Sequence, residues 1–191
     1  MEILEKRLDC ALLAPSITKD VRGWFNVAFC LNDMRSLDID FKCVEQLNHS
    51  YTELAGVIRG LNYQEKPYEQ AKIVRCTRGA LYSVGVNIDR TSSSFGKYCG
   101  FELNSIGQNL MYLPRGYAHG FITLESHTEL EYLTDNKYSY KHAKSIRFDD
   151  PDIGIDWTLN GRIKVNPYIM SEKNRHAVML KEMISTDELF Q

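Results

Sequence analysis

Turn signals recur about every ten residues along this chain and bound short runs of alternating apolar residues, a rhythm that limits it to antiparallel β architectures. The turns are marked by Asp20-Val21-Arg22-Gly23, Gly56, Gly60, Gly79, Asp89-Arg90-Thr91-Ser92, Asn104-Ser105-Ile106-Gly107, Pro114-Arg115-Gly116 and Ser126-His127. The clearest alternation sets Tyr82, Val84, Val86 and Ile88 against Ser83, Gly85 and Asn87. Such a period of two places one set on each face of a strand. Lys72-Ile73-Val74-Arg75-Cys76, Leu110-Met111-Tyr112-Leu113 and Gly120-Phe121-Ile122-Thr123-Leu124 also read as strands. The expected fold is all-β, a sandwich or barrel. The first 50 residues mix strand-like runs with loop and read as part of the same unit. Helix signal is confined to the C-terminus, about residues 171–188. There Ser171 is the expected N-cap, followed by Ala177, Val178, Leu180, Met183 and Ile184.

With 191 residues, 43% of them hydrophobic, the chain can bury one sizeable core, and no linker or repeat divides it. Lys plus Arg number 23 and Asp plus Glu number 25, a formal charge of -2, which argues against a phosphate-tracking nucleic-acid face. No apolar run is long enough to span a membrane, and the charged start, Met1 to Cys10, lacks a signal-peptide core. A soluble, cytoplasmic protein is expected. The five cysteines, Cys10, Cys30, Cys43, Cys76 and Cys99, are odd in number and show no Cys-x-x-Cys spacing, which fits reduced thiols.

Several familiar chemistries lack their residues. The histidines, His49, His119, His127, His142 and His176, show no His-x-His pair, so no metal site is expected. There is no Gly-x-Ser-x-Gly elbow, no phosphate-binding Gly-x-x-x-x-Gly-Lys-Ser/Thr loop and no Gly-x-Gly-x-x-Gly after a strand. What remains is a polar and aromatic set on expected strands: Arg59, Asn62, Tyr63, Gln64, Lys72, His119, Tyr132 and Tyr138. Pointing inward in a small barrel, they would line a ligand cavity. Each also has a plain structural reading. Arg59 would be a surface ion pair, Lys72 a solvated strand charge, Tyr132 and Tyr138 core rings with bonded hydroxyls, and His119 a turn residue.

Six segments in register carry a resemblance. They are Asp20-Val21-Arg22-Gly23-Trp24-Phe25, Gln46-Leu47-Asn48-His49-Ser50, Gly56-Val57-Ile58-Arg59-Gly60-Leu61-Asn62-Tyr63-Gln64, Gln70-Ala71-Lys72-Ile73-Val74-Arg75, Leu113-Pro114-Arg115-Gly116-Tyr117-Ala118-His119-Gly120-Phe121 and Asp149-Asp150-Pro151-Asp152-Ile153-Gly154-Ile155-Asp156-Trp157. In order and spacing the chain resembles the dTDP-4-dehydrorhamnose 3,5-epimerase family of nucleotide-sugar epimerases. The resemblance implies a metal-free, cofactor-free jelly roll of the cupin type, a homodimer that exchanges N-terminal arms. It implies a nucleotide-diphospho-sugar substrate and an isomerase of deoxysugar and polysaccharide biosynthesis. In that chemistry a 4-keto group acidifies C3–H and C5–H, a base removes the proton, donors hold the enolate, and a Tyr on the opposite face returns a proton.

Position by position, the resemblance puts Lys72 at the enolate-stabilising lysine and Tyr132 at the opposite-face acid. His119 and Arg59 match residues around sugar and diphosphate. Arg22 and Phe25 match the arm that reaches the partner's nucleotide, with Phe25 stacking on the base. Gln46 and Asn48 line the same pocket, and Tyr138 lies near nucleotide or sugar. Asn26 stands where the family has Glu. An amide both donates and accepts, so it suits thymine or cytosine.

The pattern breaks at the base. Asn62 stands where the family's Arg-Gly-Leu-His-Tyr has His, and Asn174, in Ser171-Glu172-Lys173-Asn174, where the carboxylate partner should follow. An amide accepts no proton at useful pH. The double change fits four accounts: an introduced block at Asn62, a variant epimerase working from Tyr132, a different keto-sugar isomerisation or elimination, or a non-catalytic sugar-nucleotide binder. Glu65, Glu69 and Glu131 are the candidate acidic substitutes.

Overall fold

The computed structural model describes residues 1–183. Thirteen strands form the framework: β1 (Glu2–Arg7), β2 (Cys10–Ala14), β3 (Ile17–Asp20), β4 (Gly23–Asn26), β5 (Gln46–Thr52), β6 (Ile58–Gln64), β7 (Lys72–Arg78), β8 (Ala80–Asn87), β9 (Tyr98–Asn104), β10 (Leu110–Leu113), β11 (Tyr117–Thr123), β12 (Thr128–Thr134) and β13 (Ala143–Ser145). Among the described residues, two short helices, α1 (Leu31–Ser36) and α2 (Glu172–Arg175), a 3-10 turn at Tyr140–His142 and a helical stretch beginning at Leu180 complete it. One sheet runs β1-β2-β10-β7-β12-β5, and the other β13-β6-β11-β8-β9. Every pairing between strands is antiparallel, and the two sheets face each other as a jelly roll. β3 and β4 form a hairpin of their own that pairs with neither sheet.

Three apolar layers hold the sheets. Val74, Met111, Leu113, Leu130, Leu81, Phe101 and Phe121 fill one end of the space between them. Met34 of α1, with Ile39 and Phe41, covers Leu13, Ile73 and Leu110 on the outer face of the first sheet. Ile146, Ile153, Trp157 and Leu180 cover Ile58, Val84, Val86 and Ile122 on the outer face of the second. Trp157 is fixed by its indole N–H, which donates to the Phe148 carbonyl at 2.7 Å.

That outer cover decides which face of the β8 alternation turns inward. Val84 and Val86 face outward, under the C-terminal segment, while Ser83, Gly85 and Asn87 face the barrel interior. All four side chains are buried. Gly85 is required there, because a Cβ would lie 2.8 Å from Leu113 and 3.3 Å from the Cys10 sulfur.

Two expectations about helices need correction. α1 lies in the region read as strand and loop; it buries Met34 alone, so it has almost no periodic signature. The C-terminal helix of about 171–188 is interrupted. Ser171 is indeed the N-cap, accepting from the Asn174 N–H, but α2 ends at Arg175. Val178 then bridges to Ile146, and its carbonyl accepts from the Arg147 N–H at 2.9 Å. Helix resumes at Leu180, whose N–H donates to the buried Asp150 carboxylate at 2.6 Å. Pairing with the barrel thus outcompetes continuous helix, and 184–188 lie outside the described residues.

Candidate active site

Strand parity decides which side chains enter the barrel. On β7 the inward set that contains Val74 and Cys76 also contains Lys72. On β12 it contains Leu130 and Tyr132. β5 pairs Asn48 with Tyr132 and Gln46 with Thr134, so Gln46 and Asn48 share that face, and their side chains bond at 2.5 Å. Across the barrel, β11 presents His119 and Phe121, and β6 pairs Asn62 with His119 and Arg59 with Phe121. Lys72, Tyr132, Gln46 and Asn48 therefore face Asn62, His119, Ser83 and Arg59.

The register between β6 and β11 slips between His119 and Phe121. Gly60 makes this possible. Its φ is +118°, and a Cβ would stand 2.5 Å from the Gly120 Cα and 2.6 Å from the His119 carbonyl oxygen. The two strands close to backbone contact beside the site, which sets the depth of Asn62.

Lys72 is only 8% exposed. Its Nζ lies 5.8 Å from the centroid of the Tyr132 ring, and among the described residues no carboxylate pairs with it. Burial lowers its pKa to about 8, and the charge of Lys173 on α2 adds to the effect. Lys173 is itself lowered, first by burial and then by Lys144 of β13. His119, 6% exposed, shares a 3.0 Å hydrogen bond between Nε2 and the Ser83 hydroxyl. Burial, then the Lys72 charge, holds it well below the usual imidazole range, so it is neutral at pH 7. Its ring lies 6.4 Å from that of Tyr132. Burial raises the Tyr132 phenol, Tyr138 pushes the same way, and Arg59 opposes both. The Tyr132 hydroxyl thus stays protonated, with Tyr138 and Arg59 as its charged or ionisable neighbours.

The two asparagines have separate partners. Asn62 Oδ1 accepts from the Ser145 hydroxyl at 2.7 Å. Asn174, 6% exposed, donates through Nδ2 to the Gly60 carbonyl at 2.7 Å. A side-chain bond from one asparagine to the other is not formed; each amide instead fixes a neighbouring strand.

The candidate acidic substitutes fall outside this group. Glu131 lies on the outward face of β12, bonded to Arg75 at 2.7 Å. Glu65 is exposed and 3.9 Å from Lys144. Glu69 follows β6 in the loop where its carbonyl accepts from Asn136. Arg22, Phe25 and Asn26 are not brought to Lys72 within one chain. They sit on the β3–β4 hairpin, where Phe25 is 68% exposed and Arg22 pairs with Asp20 at 2.6 Å. Tyr138 and Arg59 lie at the barrel mouth, and Arg59 donates to the Tyr51 carbonyl at 2.8 Å. Among the described residues no three His, Cys, Asp or Glu side chains converge in a metal-binding group.

Sequence reasoning missed Ser83, Ser145 and Lys173. Ser83 was visible as a small polar residue in the alternating run, but its inward direction depends on the C-terminal cover. Ser145 gave no signal, being 83 positions from the amide it holds.

A family model described as dTDP-4-dehydrorhamnose 3,5-epimerase matches residues 6–182. The enzyme of that name from Sinorhizobium fredii is 36% identical over 172 residues, covering 90% of this chain and 85% of that protein. The crystal structure of the Bacillus anthracis enzyme, with TDP and PPi bound, is 31% identical with a TM-score of 0.86, and the match covers 93% of this chain and 98% of that one. A 3'-monoepimerase from Streptomyces bikiniensis, in complex with dTDP-quinovose, is 27% identical with a TM-score of 0.83, covering 93% and 87%. With the Lys72, His119 and Tyr132 cluster inside a jelly roll and a match over nearly all of its length, the chain belongs to the dTDP-4-dehydrorhamnose 3,5-epimerase family, a family of sugar isomerases.

Proposed function

We propose that this chain binds a dTDP-linked 4-keto-6-deoxy sugar at the barrel mouth and epimerises it at C3, C5 or both through an enolate. The observation that carries this is the convergence of a buried unpaired lysine, a protonated tyrosine and a neutral histidine from facing sheets. A ketone placed against Lys72 would develop its enolate charge beside a buried positive group, where such charge is most strongly stabilised. Tyr132, kept as a phenol, supplies the proton on the opposite side. His119 and Arg59 bind the sugar and the diphosphate. Gln46, Asn48 and Tyr138 line the nucleotide end. The thymidine assignment is supported by the nucleotides bound to the B. anthracis and S. bikiniensis relatives. A nucleotide-sugar substrate places the reaction in the cytoplasm.

The nucleotide end is completed in this reading by a second copy. The β3–β4 hairpin stands free of both sheets and exposes Trp24 and Phe25. An apolar concavity on the outer face of the first sheet, lined by Phe29, Val44, Leu47, Ile73 and Leu133, offers a surface for a partner. In the homodimer Arg22 and Phe25 would reach the partner's nucleotide, and Asn26 would lie beside its base.

The test is proton NMR of the product formed from dTDP-4-keto-6-deoxyglucose. A product inverted at C3 or C5 supports the reading; unchanged substrate under saturating binding contradicts it. Asn62→His alone is expected to raise the rate by less than about tenfold, because the imidazole would lack the carboxylate that orients it. The pair Asn62→His with Asn174→Asp is expected to exceed that single change by about 10-fold or more. Rates of the two variants measured side by side check this.

A further inference from the structure

The site as described has an acid and an oxyanion holder but no residue to take the C–H proton. The candidate carboxylates face away: Glu131 is tied to Arg75 outside the barrel, and Glu65 lies at the surface against Lys144. Asn62 and Asn174 are amides already bonded to Ser145 and Gly60. Tyr132 is held as a phenol. The His119 Nε2 is engaged by Ser83, and a ring held so far toward its neutral form is a feeble proton acceptor.

Resting on the epimerase reading above, we propose that Lys72 is the base of this site: its neutral amine takes the C–H proton beside the keto carbon, and the ammonium so formed holds the enolate oxygen. The electron pair of the broken C–H bond becomes the C=C bond, and the carbonyl π pair moves to oxygen. The proton forms the third N–H bond of Lys72. Tyr132 then protonates the carbon from the opposite face, and its phenolate recovers a proton from the Lys72 ammonium through solvent, so no net charge or proton is left over.

The geometry favours this assignment in two ways. Lys72 is buried, points inward from β7 and among the described residues has no counter-ion, so its resting charge is uncompensated there. Enolate formation supplies the missing negative partner at the moment the amine becomes charged. The ionisable groups around it act in the same direction. Lys173 on α2 repels an ammonium directly, and Lys144 on β13 acts on Lys173. His119 on β11 is neutral, and Tyr132 on β12 is a phenol whose own neighbours are Tyr138 and Arg59. The resulting pKa of about 8 suits a base working near neutrality.

The experiment measures deuterium exchange into dTDP-4-keto-6-deoxyglucose in D₂O, across pH about 6 to about 9, with the full chain. The expected kcat/KM rises by about tenfold per pH unit up to about 8 and then levels. Lys72→Arg, which keeps the charge but cannot deprotonate, is expected to lose ~10²–10⁴-fold while still binding dTDP. A profile that falls through the same pH would mean that the charged lysine is the active form, and a flat profile that its proton takes no part; either would overturn the assignment while leaving the epimerase reading intact. Retention of exchange within about tenfold in Lys72→Arg would do the same. Absence of exchange at every pH, with dTDP still raising Tm, would overturn both. The wild-type profile stands whether or not a variant folds.

Discussion

Tyr132→Phe is expected to lower exchange at the carbon beside the keto group by ~10²–10⁴-fold, with dTDP binding kept. The half-buried Tyr132 ring lies beside Lys72 and His119, and that ring, which remains in the variant, carries the packing against both. Only the hydroxyl is lost, so the fold and the Lys72 environment persist. A variant that still binds dTDP and still inverts configuration at the wild-type rate would show that the proton comes from elsewhere. Comparing exchange with product formation sharpens this. If Lys72 removes the proton and Tyr132 returns it on the other face, the variant should exchange by return to the same face faster than it inverts.

The second large effect is on stability. Lys72→Met is expected to stabilise the protein at pH 7 by up to about 3 kcal/mol, because a shift of the lysine from 10.5 to about 8 represents that cost of holding an ammonium in the barrel. Met preserves the unbranched stem and removes the charge. The folded-state pKa is the lower one, so the unfolded chain binds more protons between about 8 and 10.5. The wild-type protein therefore gains stability as pH rises through that window. The advantage of Met is full below about 8 and disappears toward 10.5. Thermal unfolding at the two ends of the window should show a Tm difference of about 5–10 °C at pH 7 and little at high pH. An unchanged or lower Tm at pH 7 would mean that Lys72 has a counter-ion in the folded state. A site residue that costs stability is what a functional lysine should look like.

These two residues also show where the sequence is legible. Lys72 and Tyr132 were identifiable as strand residues of the right type, and the sheet face each occupies follows from parity with Val74 and Leu130. Glu131 was excluded only by the same parity, once the β12 register was known. β8 was recognisable as a strand, yet which of its faces turns inward was not. A period of two says that two faces differ; it does not say which is covered by a distant segment. That cover comes from Ile146, Ile153, Trp157 and Leu180, far along the chain.

Asn62 and Asn174 were visible as amides where the resemblance expects a His and its carboxylate, but the groups they bond were not. Ser145 and the Gly60 carbonyl reach them through the fold, across 83 and 114 positions. The helix α1 escaped because a single buried residue, Met34, gives no periodicity. The interruption of the C-terminal helix escaped because a tertiary bridge at Val178 overrides the local apolar spacing.

On the proposed function, enolate chemistry runs here without a histidine base. The most direct measurement is mass and proton NMR analysis of dTDP-4-keto-6-deoxyglucose after incubation with the wild-type protein in D₂O. Deuterium at C3 or C5, with inversion at the same carbon, is the predicted result. Full retention of both protons, while dTDP stabilises the protein against heating, would contradict the account and leave a pocket that binds the nucleotide sugar without turning it over.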